Sequence, residues 1–193
     1  MILNRRMIDK YMHIGNITID PYNEAQMNPN SYDVCLGNWF VLVNWADDGE
    51  PFFNKPMYVE DGKKINIPSS GTLLGITKEL IGTTDCIVAE IRTKSSTRRV
   101  GITICDDAGF GDIGFCNKWV VEFTAHIQNG VARLTVGEPF AQMVFFLSEY
   151  LPNEYQYKGQ YASTDFPLAM IPKKYRDTRV AEYSGEELIL VGD

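Results

Sequence analysis

At 193 residues the chain is long enough for one domain with a real core, and its 45% hydrophobic and 22% charged content is that of a globular protein. A net charge of −7 argues against a general nucleic-acid binder or a membrane-surface protein. No apolar run approaches membrane-spanning length and no apolar segment follows the first charges, so the expected setting is cytoplasmic.

In chain order, residues 4–14 predict a short helix. Asn4 can cap it, Met7, Ile8, Tyr11 and Met12 form an apolar stripe, and Gly15 ends it. Ile17 to Pro21 predicts a strand that stops at proline. Residues 22–30 read as a polar loop. Tyr32 to Leu36 and Trp39 to Val43 predict two strands with Gly37 between them, and residues 44–63 a loop. Short apolar segments then recur at 65–67, 72–76, 86–91, 100–104, 119–127, 131–136 and 140–147, with turn residues between them. Ile76 to Ile81 can alternatively be read as a helical turn. Many short strands with frequent turns predict a mainly β fold, a barrel or jelly roll. The chain divides into a β domain over 1–152 and a partly extended arm over 153–193, on which Lys173-Lys174-Tyr175-Arg176 reads as a solvated surface patch.

Cys35, Cys86, Cys105 and Cys116 each sit in or near an apolar run and read as free thiols of a reducing compartment. With His13 and His126 they show no zinc-ligand spacing, so neither zinc nor another protein-held metal is expected.

Three pieces carry chemistry. Lys94-Ser95-Ser96-Thr97-Arg98-Arg99 places hydroxyls among cations, the composition of a phosphate-binding loop, and with Arg92 forms a positive island on an acidic chain. Residues 107–115 form a Gly-rich hairpin that carries Asp107 and Asp112. Val120-Val121-Glu122-Phe123 is an apolar strand with one carboxylate, which is costly there unless it is paired or used. Together they point to a phosphorylated small molecule as ligand.

These residues resemble the dCTP deaminases of the trimeric dUTPase-like superfamily. Asn30-Ser31-Tyr32-Asp33-Val34 with Leu36-Gly37 is similar to the family's early strand motif, and 94–99 to its R-S-S-x-x-R element, with Lys94 for the first Arg. Asp107-Ala108-Gly109-Phe110, Asp112, Gly114-Phe115 and Glu122 follow in the family's order. Gly137 with Phe140-Ala141-Gln142 resembles the G-x-x-x-A-Q element. Tyr157-Lys158-Gly159-Gln160 resembles the end of K-Y-Q-G-Q, with Gln156 where its lysine stands. The resemblance covers about residues 1–160. It implies a distorted jelly roll, a homotrimer, and active sites between subunits closed by the C-terminal arm.

It also implies a catalytic set of Ser95, Arg99 and Glu122 for zinc-independent deamination of dCTP. Such a reaction needs a water deprotonated, a tetrahedral intermediate stabilised and ammonia protonated as it leaves. Glu122 can make both proton transfers if desolvation among Val120, Val121 and Phe123 brings its pKa toward neutrality. Ser95 holds the water or the pyrimidine edge, and Arg99 supplies fixed charge. Ser96, Thr97 and Arg98 are the expected triphosphate ligands and Asp112 contacts the 3′-hydroxyl, with Lys94, Val120 and Val121 in the same substrate-binding set. Gln142, Tyr155, Lys158 and Gln160 complete the substrate-binding set. Asp106 and Asp107 remain unassigned. Mg²⁺ is expected only on the triphosphate, and dTTP as a feedback inhibitor. The expected product is dUTP plus ammonia, feeding dUMP and dTTP synthesis. The alternatives are dUTP diphosphatase or a bifunctional dCTP deaminase/dUTPase, and a non-catalytic nucleotide-sensing regulatory protein.

Overall fold

The computed structural model describes residues 1–69, 71–128, 130–162, 165–182 and 189–190. Helix α1 (Arg5–His13) is capped as the sequence predicts. The Asn4 side chain accepts from the Met7 N–H at 3.1 Å, and Ile8 is buried on the inner face. The strands are β1 (Ile17–Asp20), β2 (Tyr32–Trp45), β3 (Pro51–Asn54), β4 (Met57–Tyr58), β5 (Lys64–Ile67), β6 (Thr72–Thr83) and β7 (Ile87–Thr93). Helix α2 (Ser95–Arg99) precedes β8 (Ile102–Ile104), β9 (Phe110–Gly111), β10 (Cys116–Ala125), β11 (Ala132–Thr135), β12 (Pro139–Leu147), β13 (Val180–Ala181) and β14 (Ile189–Leu190).

The main sheet runs β8-β10-β6-β2-β12-β7-β9, with β1 beside β6 and β3 and β4 beside β2. A second small sheet has the order β11-β5-β14. The mainly β expectation is met, as a curled sheet wrapped around one core. Tyr32, Phe40, Phe123, Phe140 and Phe145 are fully buried in that core.

Three differences from the sequence expectation shape the site. First, β2 is one long strand, not two. Gly37 lies within it because β6 comes too close for a side chain: a Cβ there would stand 2.8 Å from Ile76 Cγ1. The register shifts between Leu36 and Phe40 at this point. Second, Ile76 to Ile81 is strand, since β6 is continuous over twelve residues. Its near-unbroken apolar run reflects cover on both faces. The main core takes one face, and Val41, Phe53, Leu74, Ile76, Met170 and Ile171 form a second cluster.

Third, Met170 and Ile171 come from the C-terminal segment, which is docked. Val180 and Ala181 add a parallel strand to β3. Arg179 pairs with Asp48 at 2.8 Å, and Lys55 pairs with Glu182. The expected solvated patch 173–176 lies within this docked segment: the Tyr175 ring packs on Phe53 at 5.4 Å, and Arg176 Nε donates to the Ile171 carbonyl at 2.8 Å. Among the described residues no helix is long and apolar enough to cross a membrane.

Candidate active site

Strict alternation along β10 decides what Glu122 faces. Asn117, Trp119, Val121, Phe123 and Ala125 are buried in the core, while Lys118, Val120, Glu122 and Thr124 take the other face. That face is the floor of a cavity of about 680 Å³, within the usual range for small-ligand sites. Val120, Glu122 and Lys118 line it from β10, and Thr72 and Leu74 from β6. Phe110, Asp112 and Phe115 line it from the 107–115 segment, which is a loop whose strand β9 pairs with β7 and not the expected hairpin. Val43, Trp45 and Phe53 line it from β2 and β3, and Tyr157, Tyr161, Phe166 and Met170 from the C-terminal segment. Its lining is largely apolar and aromatic, with Asp112, Lys118 and Glu122 as the charged groups.

The loop is shaped for this position. Gly111 lies against the Trp119 indole, where a Cβ would stand 2.4 Å from a ring carbon. Phe115 stacks edge-on to Trp119 at 5.3 Å and to Tyr157 at 5.5 Å. Asp112 is exposed and opens a turn closed by the Phe115 N–H on its carbonyl at 3.0 Å, so it is both a turn residue and a cavity residue. Val121 points into the core, so only its backbone can meet a ligand.

Residues 94–99 do not share this cavity. They form α2, which packs on β8 and β12. The nearby Ile102 pairs with Ala125, three residues and about 10 Å along β10 from Glu122. Ser95, Ser96, Arg98 and Arg99 are exposed on α2. One chain therefore presents Glu122 with Asp112 in one place and Ser95 with Arg99 in another.

Two residues of the expected substrate-binding set are tied into the fold instead. Thr97 is 4% exposed, and its hydroxyl donates to the Phe140 carbonyl at 2.8 Å, bracing α2 on β12. Lys94 pairs with Asp33, which is mostly buried and also accepts from Asn28 Nδ2 at 2.8 Å. The same polar seam holds Glu79, only 2% exposed, which accepts from Gln26 Nε2 at 2.8 Å and the Cys35 N–H at 2.9 Å. Burial, then the Glu79 charge, pushes the Cys35 thiol up to about 12. The seam anchors the start of α2 to β2 and β6. Asp33→Ala leaves the Lys94 ammonium and the Asn28 amide without their acceptor, and is expected to cost about 2–3 kcal/mol in urea unfolding. A loss below about 0.5 kcal/mol would show that the pair does not hold α2 in place.

The remaining expected residues are scattered. Gln142 lies opposite Asp33 and Arg92 and accepts from the Ser31 hydroxyl at 3.4 Å. Tyr155 is exposed, and Lys158 Nζ donates to the Glu154 carbonyl at 3.5 Å. The Gln160 side chain lies outside the described residues. Gln156 fastens the arm, donating to the Leu151 carbonyl and Asn153 Oδ1, each at 2.9 Å. Sequence reasoning missed Lys118, Tyr161, Phe166 and Met170. Lys118 was findable, since it shares the period-2 face of Glu122; the tail residues were not, because their position depends on docking. Among the described residues no group of three or more His, Cys, Asp or Glu is placed to hold a metal ion.

Comparison with known proteins places this geometry. A family model described as dCTP deaminase-like matches residues 2–148. A Methanoregula boonei protein named dCTP deaminase, dUMP-forming, is 32% identical over 173 residues, spanning 86% of this chain and 92% of that protein. A Methanospirillum hungatei protein of the same name is 33% identical over 159 residues, spanning 77% and 83%. The crystal structure of 2′-deoxycytidine 5′-triphosphate deaminase from Agrobacterium tumefaciens shares the fold, with a TM-score of 0.58 at 16% identity. That match covers 79% of this chain and half of the other. With most of its length matched by the family model and its fold shared with a deaminase, this chain belongs to the dCTP deaminase-like family.

Proposed function

We propose that the protein hydrolyses the amino group of dCTP and then releases pyrophosphate, giving dUMP. The observation that carries this reading is a strand-borne carboxylate, Glu122, opening into a largely apolar cavity with Asp112 at its side. Water adds to cytosine C4 as Glu122 takes its proton. Glu122 passes that proton to N3, then carries the proton of the new C4 hydroxyl to the leaving amine, and the tetrahedral intermediate collapses to C4=O and N3–H with loss of ammonia. No metal is used at C4. Mg²⁺ enters with the triphosphate as part of the substrate.

The separation of α2 from the Glu122 cavity supports a site shared between copies. Ser95 and Arg99 of one subunit complete the cavity of its neighbour in a homotrimer, with Ser96 and Arg98 on the triphosphate. Thr97 and Lys94 act as braces there. Asp112 contacts the 3′-hydroxyl and orients a second water at the α-phosphate, which separates dUMP from pyrophosphate. Gln142, Tyr155, Lys158 and Gln160 serve the phosphates and the closing arm, and dTTP is a feedback ligand of the same site. The product feeds dTTP synthesis.

The sequence expectation of dUTP as end product yields here to dUMP, because the relatives that support the family carry the dUMP-forming name. Incubation with dCTP and Mg²⁺, followed by separation of nucleotides, ammonia and pyrophosphate, tests this. The expected result is dUMP, ammonia and pyrophosphate in equal amounts, without dUTP build-up. Accumulating dUTP with no pyrophosphate returns the simple deaminase. Binding of dCTP with no turnover makes the protein a nucleotide sensor.

A further inference from the structure

Cys105 follows β8 by one residue and meets Glu122 at the end of the β8–β10 ladder. The register pairs Ile104 with Phe123, and the Cys105 N–H donates to the Glu122 carbonyl at 3.0 Å. The Cys105 side chain is buried with the core cluster, and its thiol comes within reach of the Glu122 carboxylate. Cys105 is a free cysteine, 6% exposed, and its φ of 44° lies in the left-handed region that non-glycine residues rarely adopt. The Ala108 N–H closes the following turn on the Cys105 carbonyl at 3.0 Å.

A strained, buried cysteine tied by its backbone to the main chain of the residue that carries the cavity carboxylate is over-determined for a spacer. Burial first, and then the Glu122 charge, pushes its thiol well above the usual range, so the sulfur keeps its proton as a donor. Other charges approach from every side. Asp106 follows on the same loop, and β7 contributes Glu90, held by Arg92 Nε at 2.9 Å and Nη2 at 3.0 Å. Lys118 and Asp112 line the Glu122 cavity, and β6 opposes Glu122 with the apolar Leu74.

We propose that Cys105 is a positioning residue for the proton transfers: its S–H donates to the Glu122 carboxylate and fixes which oxygen faces the cavity. This rests on the reading of Glu122 as the acid/base. A carboxylate with one oxygen tied back presents the other to the water in a single orientation, which orders the attack at C4.

The test compares Cys105→Ala, Cys105→Gly and Cys105→Ser in the full chain, by kcat and KM for dCTP across pH and by thermal unfolding. Ala meets the same positive φ as Cys and Gly relieves it, yet both remove the donor; Ser keeps one. Both donorless variants are expected to lose kcat about tenfold, with KM changed less than about twofold. Removing a donor favours the protonated carboxyl, so the acid limb of their profile moves to higher pH. Cys105→Ser restores the limb. Donorless variants with a wild-type limb and kcat overturn the proposal. So does equal loss in all three variants in step with lowered unfolding temperature, which would mean packing alone. Glu122→Gln separates the two ideas. If it still turns over, the acid/base reading fails. If it is inactive while the donorless variants are normal, only the role of Cys105 fails.

Discussion

Glu122→Gln is expected to lower dCTP deamination by about two to four orders of magnitude while dCTP binding is largely kept. The amide keeps the shape of the carboxylate and its place on the cavity face of β10, but it cannot accept and return a proton. Val120 and Lys118 remain beside it, and the apolar walls are untouched. Loss falls on kcat because the proton transfers belong to the transition state, whereas the walls hold ground state and transition state alike. The measurement is ammonia release in single-turnover conditions beside dCTP affinity by calorimetry. Turnover near that of the unaltered protein would remove Glu122 from the chemistry.

An equal mixture of Arg99→Ala and Glu122→Gln chains, each inactive alone, should recover activity once unfolded and refolded together. In the proposed trimer every site takes Glu122 from one subunit and Arg99 from its neighbour. Random assembly then leaves about a quarter of sites with both groups intact, so activity returns to about a quarter of the unaltered protein from a base near zero. The prediction follows from the exposed α2 side chains and from the strand length separating them from Glu122. If both groups acted within one chain, mixing would restore nothing, and a flat result sinks the shared site.

Local signals were legible where a single element settles its own conformation. Asn4 as a cap with a stripe at Met7, Ile8, Tyr11 and Met12 gave α1 to within a residue. The apolar run Val120-Val121-Glu122-Phe123 gave the strand but not its two faces, since Val120 and Val121 read alike as site residues and only Val120 faces the cavity. Glu122 leaves the core on the alternate face of β10 and lines the cavity. Long-range pairing was not legible. Gly37 looks like a break between strands, yet it is the point where β6 presses closest. Ile76 to Ile81 looks helical at Lys78 and Glu79, but Glu79 is a buried carboxylate satisfied by Gln26 and the Cys35 backbone. The polar loop at 44–63 hides β3 and β4, whose pairing depends on β2 and on a tail segment more than a hundred residues later. Thr97 and Lys94 read as ligands because composition cannot distinguish a hydroxyl or ammonium facing solvent from one answering Phe140 or Asp33.

The sheet order also governs how the molecule comes into being. Strand β2 is among the first made, yet one of its two long neighbours, β12, starts only at Pro139. Its outer cover, Met170 and Ile171, emerges later still. Pairings across such separations must close long loops before any contact rewards them, which places this topology among slow folders. On the ribosome, fourteen residues of largely apolar strand therefore wait with one edge unpaired and one face bare, a template for joining the same strand of another nascent chain.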